Sequence, residues 1–254
     1  MLVYRNTPLD LTITSSGRPD LLEITLEGLT KKLLPQVCFG LVSVNIDPIP
    51  QTSPRENLEC TEIVKSYFPD AVILLTESPS FGLAIQKLWG GVTSSESKRS
   101  YFLHFEDDWN SIRQVNLSAI NRMLNKYTST RQVVLRKEVK SMKRSLFRFN
   151  SRLIEVNGSE ITIPSFSTGP SFIDKSFAVK ISRLIKPQLH PEKQMVNMSN
   201  PELTSFLREY KCRKYIWMYR KEVILDLGIE WYKNKGYDRT YINGAPEYVK
   251  RLVD

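Results

Sequence analysis

Between Leu9 and Phe105 the chain alternates short apolar runs with segments of helical periodicity, and this alternation restricts the folds open to it more than any other feature. Leu9 to Thr14 is partly β-branched and is stopped by Ser15-Ser16-Gly17-Arg18-Pro19, which reads as a strand leading into a loop. From Asp20 onward, Leu21, Leu22, Ile24, Leu26, Leu29 and Leu33 recur at helical spacing until Pro35 interrupts. Phe39 to Ile46 and Ala71 to Leu75 are further strand-like runs, with a helical Asn57 to Tyr67 between them, and Ser80 to Leu88 reads as another helix start. A polar stretch from Thr93 to Ser100 leads to a fourth strand, Tyr101 to Phe105, which runs into Glu106, Asp107 and Asp108. Such alternation builds a mainly parallel sheet with helices on both faces, and ligands sit beyond the carboxyl ends of its strands. The polar signals of this half, Thr14 to Arg18, Asp47 and Glu106 to Asp108, all fall at those ends.

The second half reads differently. Asn157-Gly158, between Ser151–Val156 and Ser159–Ile163, fits a tight type I′ turn and predicts a β-hairpin. Pro201 opens a short amphipathic helix carrying Leu203, Phe206, Leu207 and Tyr210, and Tyr215 to Leu227 holds further strand-like segments. At 254 residues with 41% hydrophobic content, the chain is long enough to bury one sizeable core. Residues 1–230 are expected to form a single unit, with 1–110 and 111–230 as its halves and 231–254 as a C-terminal appendage.

No apolar run approaches the roughly 18 residues of a membrane-spanning helix, and Met1 to Asp10 lacks a signal-peptide pattern, so a cytoplasmic protein without a transmembrane segment is expected. Cys38, Cys60 and Cys212 are odd in number and widely spaced, which argues against a disulfide framework or zinc site. The formal charge of +9 suits a polyanion, whether nucleic acid, an anionic membrane or a diphosphate, and does not choose among them.

Two carboxylates at alternate positions of an extended segment point the same way, so Glu106 and Asp108 are expected to share one ligand while Asp107 faces elsewhere. Mg²⁺ and Mn²⁺ prefer hard oxygen ligands and take one or two protein carboxylates, leaving room for phosphate oxygens. A solvated acidic turn is the plain alternative. Thr14-Ser15-Ser16-Gly17-Arg18-Pro19-Asp20-Leu21-Leu22 resembles the first strand and donor loop of GT-A glycosyltransferases, particularly family-2-like enzymes. Phe105-Glu106-Asp107-Asp108-Trp109 is similar to the D-x-D element after their fourth strand, with Glu in place of the usual first Asp.

That resemblance implies an α/β fold of GT-A (Rossmann-like) type, with a mixed, mainly parallel central sheet flanked by helices. It implies that Asp108 is the main metal ligand and that Glu106 faces the ribose or a metal-bound water. Asp47 is similar to the acid that contacts the nucleotide base, and Phe81-Gly82-Leu83-Ala84 resembles the helix start near the donor. With Thr14, Ser15, Ser16, Gly17, Arg18 and Asp107 they complete the implied nucleotide-sugar site. Phe166 to Phe172 resembles the segment lining the acceptor side. For the catalytic base Glu202, in Asn200-Pro201-Glu202-Leu203, is the first candidate, and Glu192, in Pro191-Glu192-Lys193-Gln194, is the second. Asp226, in Asp226-Leu227-Gly228, stands where the family carries a late metal-binding His, although the same triplet also reads as a helix-end turn.

The implied activity is metal-dependent, inverting transfer of a sugar from a UDP-, GDP- or dTDP-sugar to a hydroxyl of a glycan or glycoconjugate. A sugar nucleotidyltransferase is the first alternative, but it should carry a glycine-rich loop, and Ser15-Ser16-Gly17-Arg18 has one glycine. The second is a basic nucleic-acid-binding module, which would lose affinity steeply with salt; nucleic acid is not the expected partner. Two histidines, His104 in an apolar strand and His190 before Pro191, leave no hydrolase triad.

Overall fold

The computed structural model describes residues 8–35, 37–49, 51–76, 79–92, 97–126, 129–135, 155–157, 160–163, 165–196, 199–210, 212–216, 222–242 and 245–250. The first strand, β1 (Leu9–Ser15), is buried along its whole length. It is followed by α1 (Pro19–Glu27), which has proline in its first turn, and then by a wider π-type turn over Gly28–Leu33. The single helix expected up to Pro35 is therefore two segments. After β2 (Phe39–Ile46), α2 (Pro54–Tyr67) begins three residues earlier than apolar spacing indicates. There Ser53 accepts the Glu56 N–H while the Glu56 carboxylate accepts the Ser53 N–H, a reciprocal cap that starts the helix. Then come β3 (Val72–Leu75), α3 (Phe81–Gly91), β4 (Tyr101–Glu106), β5 (Trp109–Ser111) and α4 (Leu117–Lys126).

The second half supplies β6 (Thr130–Val134), β7 (Glu155–Asn157), β8 (Glu160–Ile163), β9 (Ser171–Asp174), α5 (Lys175–Leu184), the one-turn α6 (Lys193–Val196) and α7 (Pro201–Glu209). It ends with β10 (Arg213–Ile216), β11 (Ile224–Asp226), α8 (Gly228–Asn234), β12 (Tyr237–Ile242) and β13 (Ala245–Lys250). Nine strands of the described residues form one sheet in the order β3-β2-β1-β4-β9-β6-β10-β8-β7. Neighbours in the β3-β2-β1-β4 block are parallel, β9 runs antiparallel between β4 and β6, and β10 lies parallel to β6.

The expected hairpin is β7–β8, in which Asn157 pairs with Glu160. Asn157 is thus a strand residue, one position away from the expected turn, and the two residues between it and Glu160 lie outside the described set. Alternation within β4 divides the core between the two faces. Leu103 and Phe105 join Leu11, Ile13, Val44 and the helix residues Leu22, Leu26 and Val64 on one side. Phe102 joins Trp89, Ile173, Phe177, Ile181 and Leu203 on the other. Burial on both faces explains why these strands read as continuous apolar runs. A third, small cluster sets Trp231 and Tyr232 of α8 on Leu21 of α1, with Ile49, Leu227 and Tyr237 around it. No helix among the described residues is long and apolar enough to cross a membrane.

Candidate active site

The parallel register sets Thr14 of β1 beside Glu106 of β4, so the loops after both strands leave the sheet together. The strand ends at Glu106, residues 107 and 108 form a turn, and β5 begins at Trp109. Side-chain alternation therefore stops before Asp108, and Glu106 and Asp108 are not placed by a common strand face. Each of the three acids has its own surroundings.

Asp107 is buried at 1% exposure. Its Oδ2 accepts the Ser15 hydroxyl at 2.8 Å and the Ser16 N–H at 2.7 Å, and its Oδ1 takes the Arg18 guanidinium. Its backbone carbonyl accepts the Thr25 hydroxyl at 2.8 Å, and the Gly17 N–H donates to the Ser15 hydroxyl at 3.2 Å. The loop expected to wrap a donor is thus fastened to Asp107. Arg18 also donates to Asp108 Oδ2 at 3.0 Å, and its guanidinium lies over the rings of Trp231 and Tyr232 at 5.5 and 5.7 Å. Burial works against the charged guanidinium, but Asp107 and Asp108 outweigh it and hold Arg18 protonated well above its ordinary range. Trp231 is itself fixed by its indole N–H, which donates to Asp20 Oδ2 at 2.8 Å.

Asp108 meets Asp226, which lies far along the sequence. β11 pairs antiparallel with β5 so that Asp226 faces Trp109, and the Leu227 N–H donates to the Asp108 carbonyl at 2.8 Å. The Gly228 N–H holds Asp226 Oδ1 at 3.0 Å. A Cβ on Gly228 would come within 2.3 Å of Asp108 Oδ2, so only glycine lets α8 start against that carboxylate. Burial raises the pKa of Asp108, Arg18 pulls it back, and the charges of Asp107 and Asp226 raise it again. Two carboxylates share one guanidinium and a third, Asp226, acts on Asp108, and the excess negative charge fits a divalent cation. Among the described residues no three His, Cys, Asp or Glu side chains form a ready cage. A pair of carboxylates completed by substrate oxygens is nevertheless a donor set that Mg²⁺ or Mn²⁺ accepts.

Glu106 accepts the Trp109 indole N–H at 2.8 Å and lies beside Gly169, where an added Cβ would stand 3.8 Å from its Oε2. Gly169 belongs to the segment read as the acceptor side. In that segment Glu192 Oε1 accepts the Ser167 hydroxyl and the Thr168 N–H, both at 2.8 Å, and the Thr168 hydroxyl at 3.3 Å. Glu202, by contrast, is exposed in the first turn of α7, whose Leu203 and Leu207 pack into the second core. Of the two glutamates, Glu192 is the one tied to the loop that borders Glu106.

Asp47, at the end of β2, accepts the Ser80 N–H through both oxygens, at 2.9 and 3.0 Å, and burial raises its pKa against that hydrogen bond. Gly82 has its close neighbour in Pro187, whose carbonyl oxygen would lie 2.5 Å from an added Cβ, so this glycine seats the loop before Glu192 against α3. His104 is fully buried, shares a 2.8 Å hydrogen bond with the Thr12 hydroxyl, and is driven by burial to a pKa of about 3. Sequence reasoning did not single out Asp20, Trp231, Tyr232 or Gln132.

No protein-family model matches the sequence, and no curated protein matches it. Solved structures do. A mannosyltransferase from Pyrobaculum calidifontis in complex with GDP-Man and Mn²⁺ is 10% identical, with a TM-score of 0.51 over 91% of this chain and 61% of that one. TarS from S. aureus in complex with UDP is 12% identical, with a TM-score of 0.50 over 85% of this chain and 59% of that one. The chain thus spans about three fifths of either structure. A CMP:2-keto-3-deoxy-manno-octonic acid synthetase complexed with CTP overlays at a TM-score of 0.47 with 10% identity, over 84% of this chain and 89% of that one. The fold is the GT-A type of α/β fold, as the strand pattern and motifs implied.

Proposed function

We propose that the chain is a glycosyltransferase that moves a sugar from a nucleoside-diphosphate donor to an acceptor hydroxyl. The observation that carries this reading is the convergence of Asp108 and Asp226 at the carboxyl end of the parallel strands, with Gly228 making room for the Asp108 carboxylate. The two carboxylates would hold Mn²⁺ or Mg²⁺, which when bound stabilises negative charge on a leaving diphosphate. Arg18 keeps Asp107 neutralised and orients Asp108, so the pair is preorganised before a donor arrives. Asp47 stands at the end of the neighbouring strand, where a nucleotide base would lie.

Glu192 serves as the base. Its carboxylate accepts the proton of the acceptor hydroxyl while that oxygen bonds to the anomeric carbon. The bond from that carbon to the diphosphate oxygen breaks, and the nucleoside diphosphate leaves. Attack from the face opposite the leaving group inverts the anomeric centre and needs no covalent enzyme intermediate.

A panel of UDP-glucose, GDP-mannose and dTDP-glucose, each with Mn²⁺, tests the reading by thermal shift and by product analysis with glycan acceptors. One donor should raise the Tm only when the metal is present, and turnover should release its nucleoside diphosphate. Asp108→Asn should abolish that metal-dependent shift. Glu192→Gln should keep it and lower turnover by about 100-fold or more, whereas Glu202→Gln should change neither. Release of pyrophosphate from a nucleoside triphosphate and a sugar phosphate would instead identify a nucleotidyltransferase, and no shift with any donor would overturn the transferase reading.

A further inference from the structure

Gln132, in the middle of β6, is completely buried, followed in sequence by Val133 and Val134 and paired across the sheet with Ile173 of β9. A buried amide weakens a core unless all its hydrogen-bonding groups find partners. Both ends of this one are engaged by the backbone of a single residue. Its Oε1 accepts the Ser167 N–H at 2.8 Å, and its Nε2 donates to the Ser167 carbonyl at 2.6 Å. The second Nε2 hydrogen bond goes to the Ser171 hydroxyl at 2.7 Å, which in turn donates to the Gly169 carbonyl at 2.8 Å. Gln132 therefore holds both ends of Ser167-Thr168-Gly169. The middle of that tripeptide grips Glu192, and its last residue borders Glu106.

We infer that Gln132 is a positioning residue for the transfer step, fixing through Ser167 the direction in which Glu192 presents its carboxylate to the acceptor. The inference rests on Glu192 being the base. Elsewhere on β6, Val133 and Val134 offer no side-chain polar group and Arg131 is paired with Asp174. The amide holds Ser167 by its backbone, so the Ser167 hydroxyl remains directed at Glu192. The hydrogen bonds of the Gln132 side chain go to Ser167 and Ser171, not to the carboxylates of the proposed donor site.

The test is a double-mutant cycle on kcat and donor KM, with the donor that the panel identifies. Gln132→Leu should lower kcat by about 100-fold and leave the donor KM and the metal-dependent Tm shift unchanged. Gln132→Leu added to Glu192→Gln should cost nothing further, since the group it aligns is gone. Should Gln132→Leu fail to fold, Gln132→Glu supplies the same test by pH. Its carboxylate repels the Ser167 carbonyl, whereas its protonated form restores the donor, so its kcat relative to wild type should rise as pH falls. An unchanged kcat in Gln132→Leu, a further loss in the double mutant, or a pH-independent deficit in Gln132→Glu overturns the positioning role. Full turnover in Glu192→Gln overturns the assignment of the base itself and is seen in the single mutant alone.

Discussion

Arg18 has one charge, two carboxylates to share it with, and an aromatic ring on each of two neighbouring residues of α8 against its face. Replacing it with methionine keeps much of the bulk and leaves Asp107 buried without its cation. Loss of one partner of a buried pair costs about 3–5 kcal/mol, and urea unfolding of Arg18→Met should show a loss of that size. Gly228→Ala makes a more local demand. The added methyl overlaps the Asp108 carboxylate, so the variant should stay folded and lose the Mn²⁺-dependent donor shift.

Asp108 and Asp226 were both named as ligand candidates from the sequence, one from its place after an apolar strand and the other only through the resemblance to a family with a late metal-binding residue. The work of Arg18 was not legible, because a loop sequence says nothing of which carboxylates and rings close over a side chain. The sequence ranked Glu202 above Glu192, and our proposal reverses that order for a related reason. Both sit beside proline at a turn or helix start, and only the hydrogen bonds of Ser167 and Thr168 distinguish them.

At the scale of single elements, β1, β2 and β4 were readable because their buried apolar residues, such as Leu9, Leu11, Ile13, Val42, Val44, Phe102 and Leu103, outnumber the polar ones between them. The strands β6 and β9 carry Gln132 and Ser171, two polar residues bonded to one another inside the sheet, and these break the pattern that would have marked the strands. Helix starts shifted where caps decide them. Ser53 begins α2 before its first apolar residue, and Asp174 caps α5 by accepting the Phe177 N–H at 2.8 Å. β4 also contributes an acid sensitivity. His104 ordinarily titrates near 6.5 but in the fold near 3, so between those values the unfolded chain holds a proton that the folded chain lacks. Stability should therefore fall as pH drops below 6.5, by up to about 1.4 kcal/mol per pH unit from this group. Urea titrations between pH 6.5 and 5 should show a shallower slope for His104→Gln than for the parent.

Across the whole molecule, α8 bears on the site. It runs from Gly228 to Asn234, and Trp231 and Tyr232 pack on Leu21. Deleting residues 227–254 should lower the Tm and remove metal-dependent donor binding even though Asp108, Asp226 and Arg18 all remain, as differential scanning calorimetry with and without Mn²⁺ and donor would show. The hydrogen bond from Trp231 to Asp20 joins residues 211 positions apart, while Ser15 and Asp107 are 92 apart. Contacts of such separation form late in folding. As the chain leaves the ribosome, the sheet can gather around β1, β2 and β4 while the second carboxylate and the aromatic cover are still unmade. Activity should therefore arise only once Trp231 and Tyr232 have been made, and no chain ending before them should consume a donor.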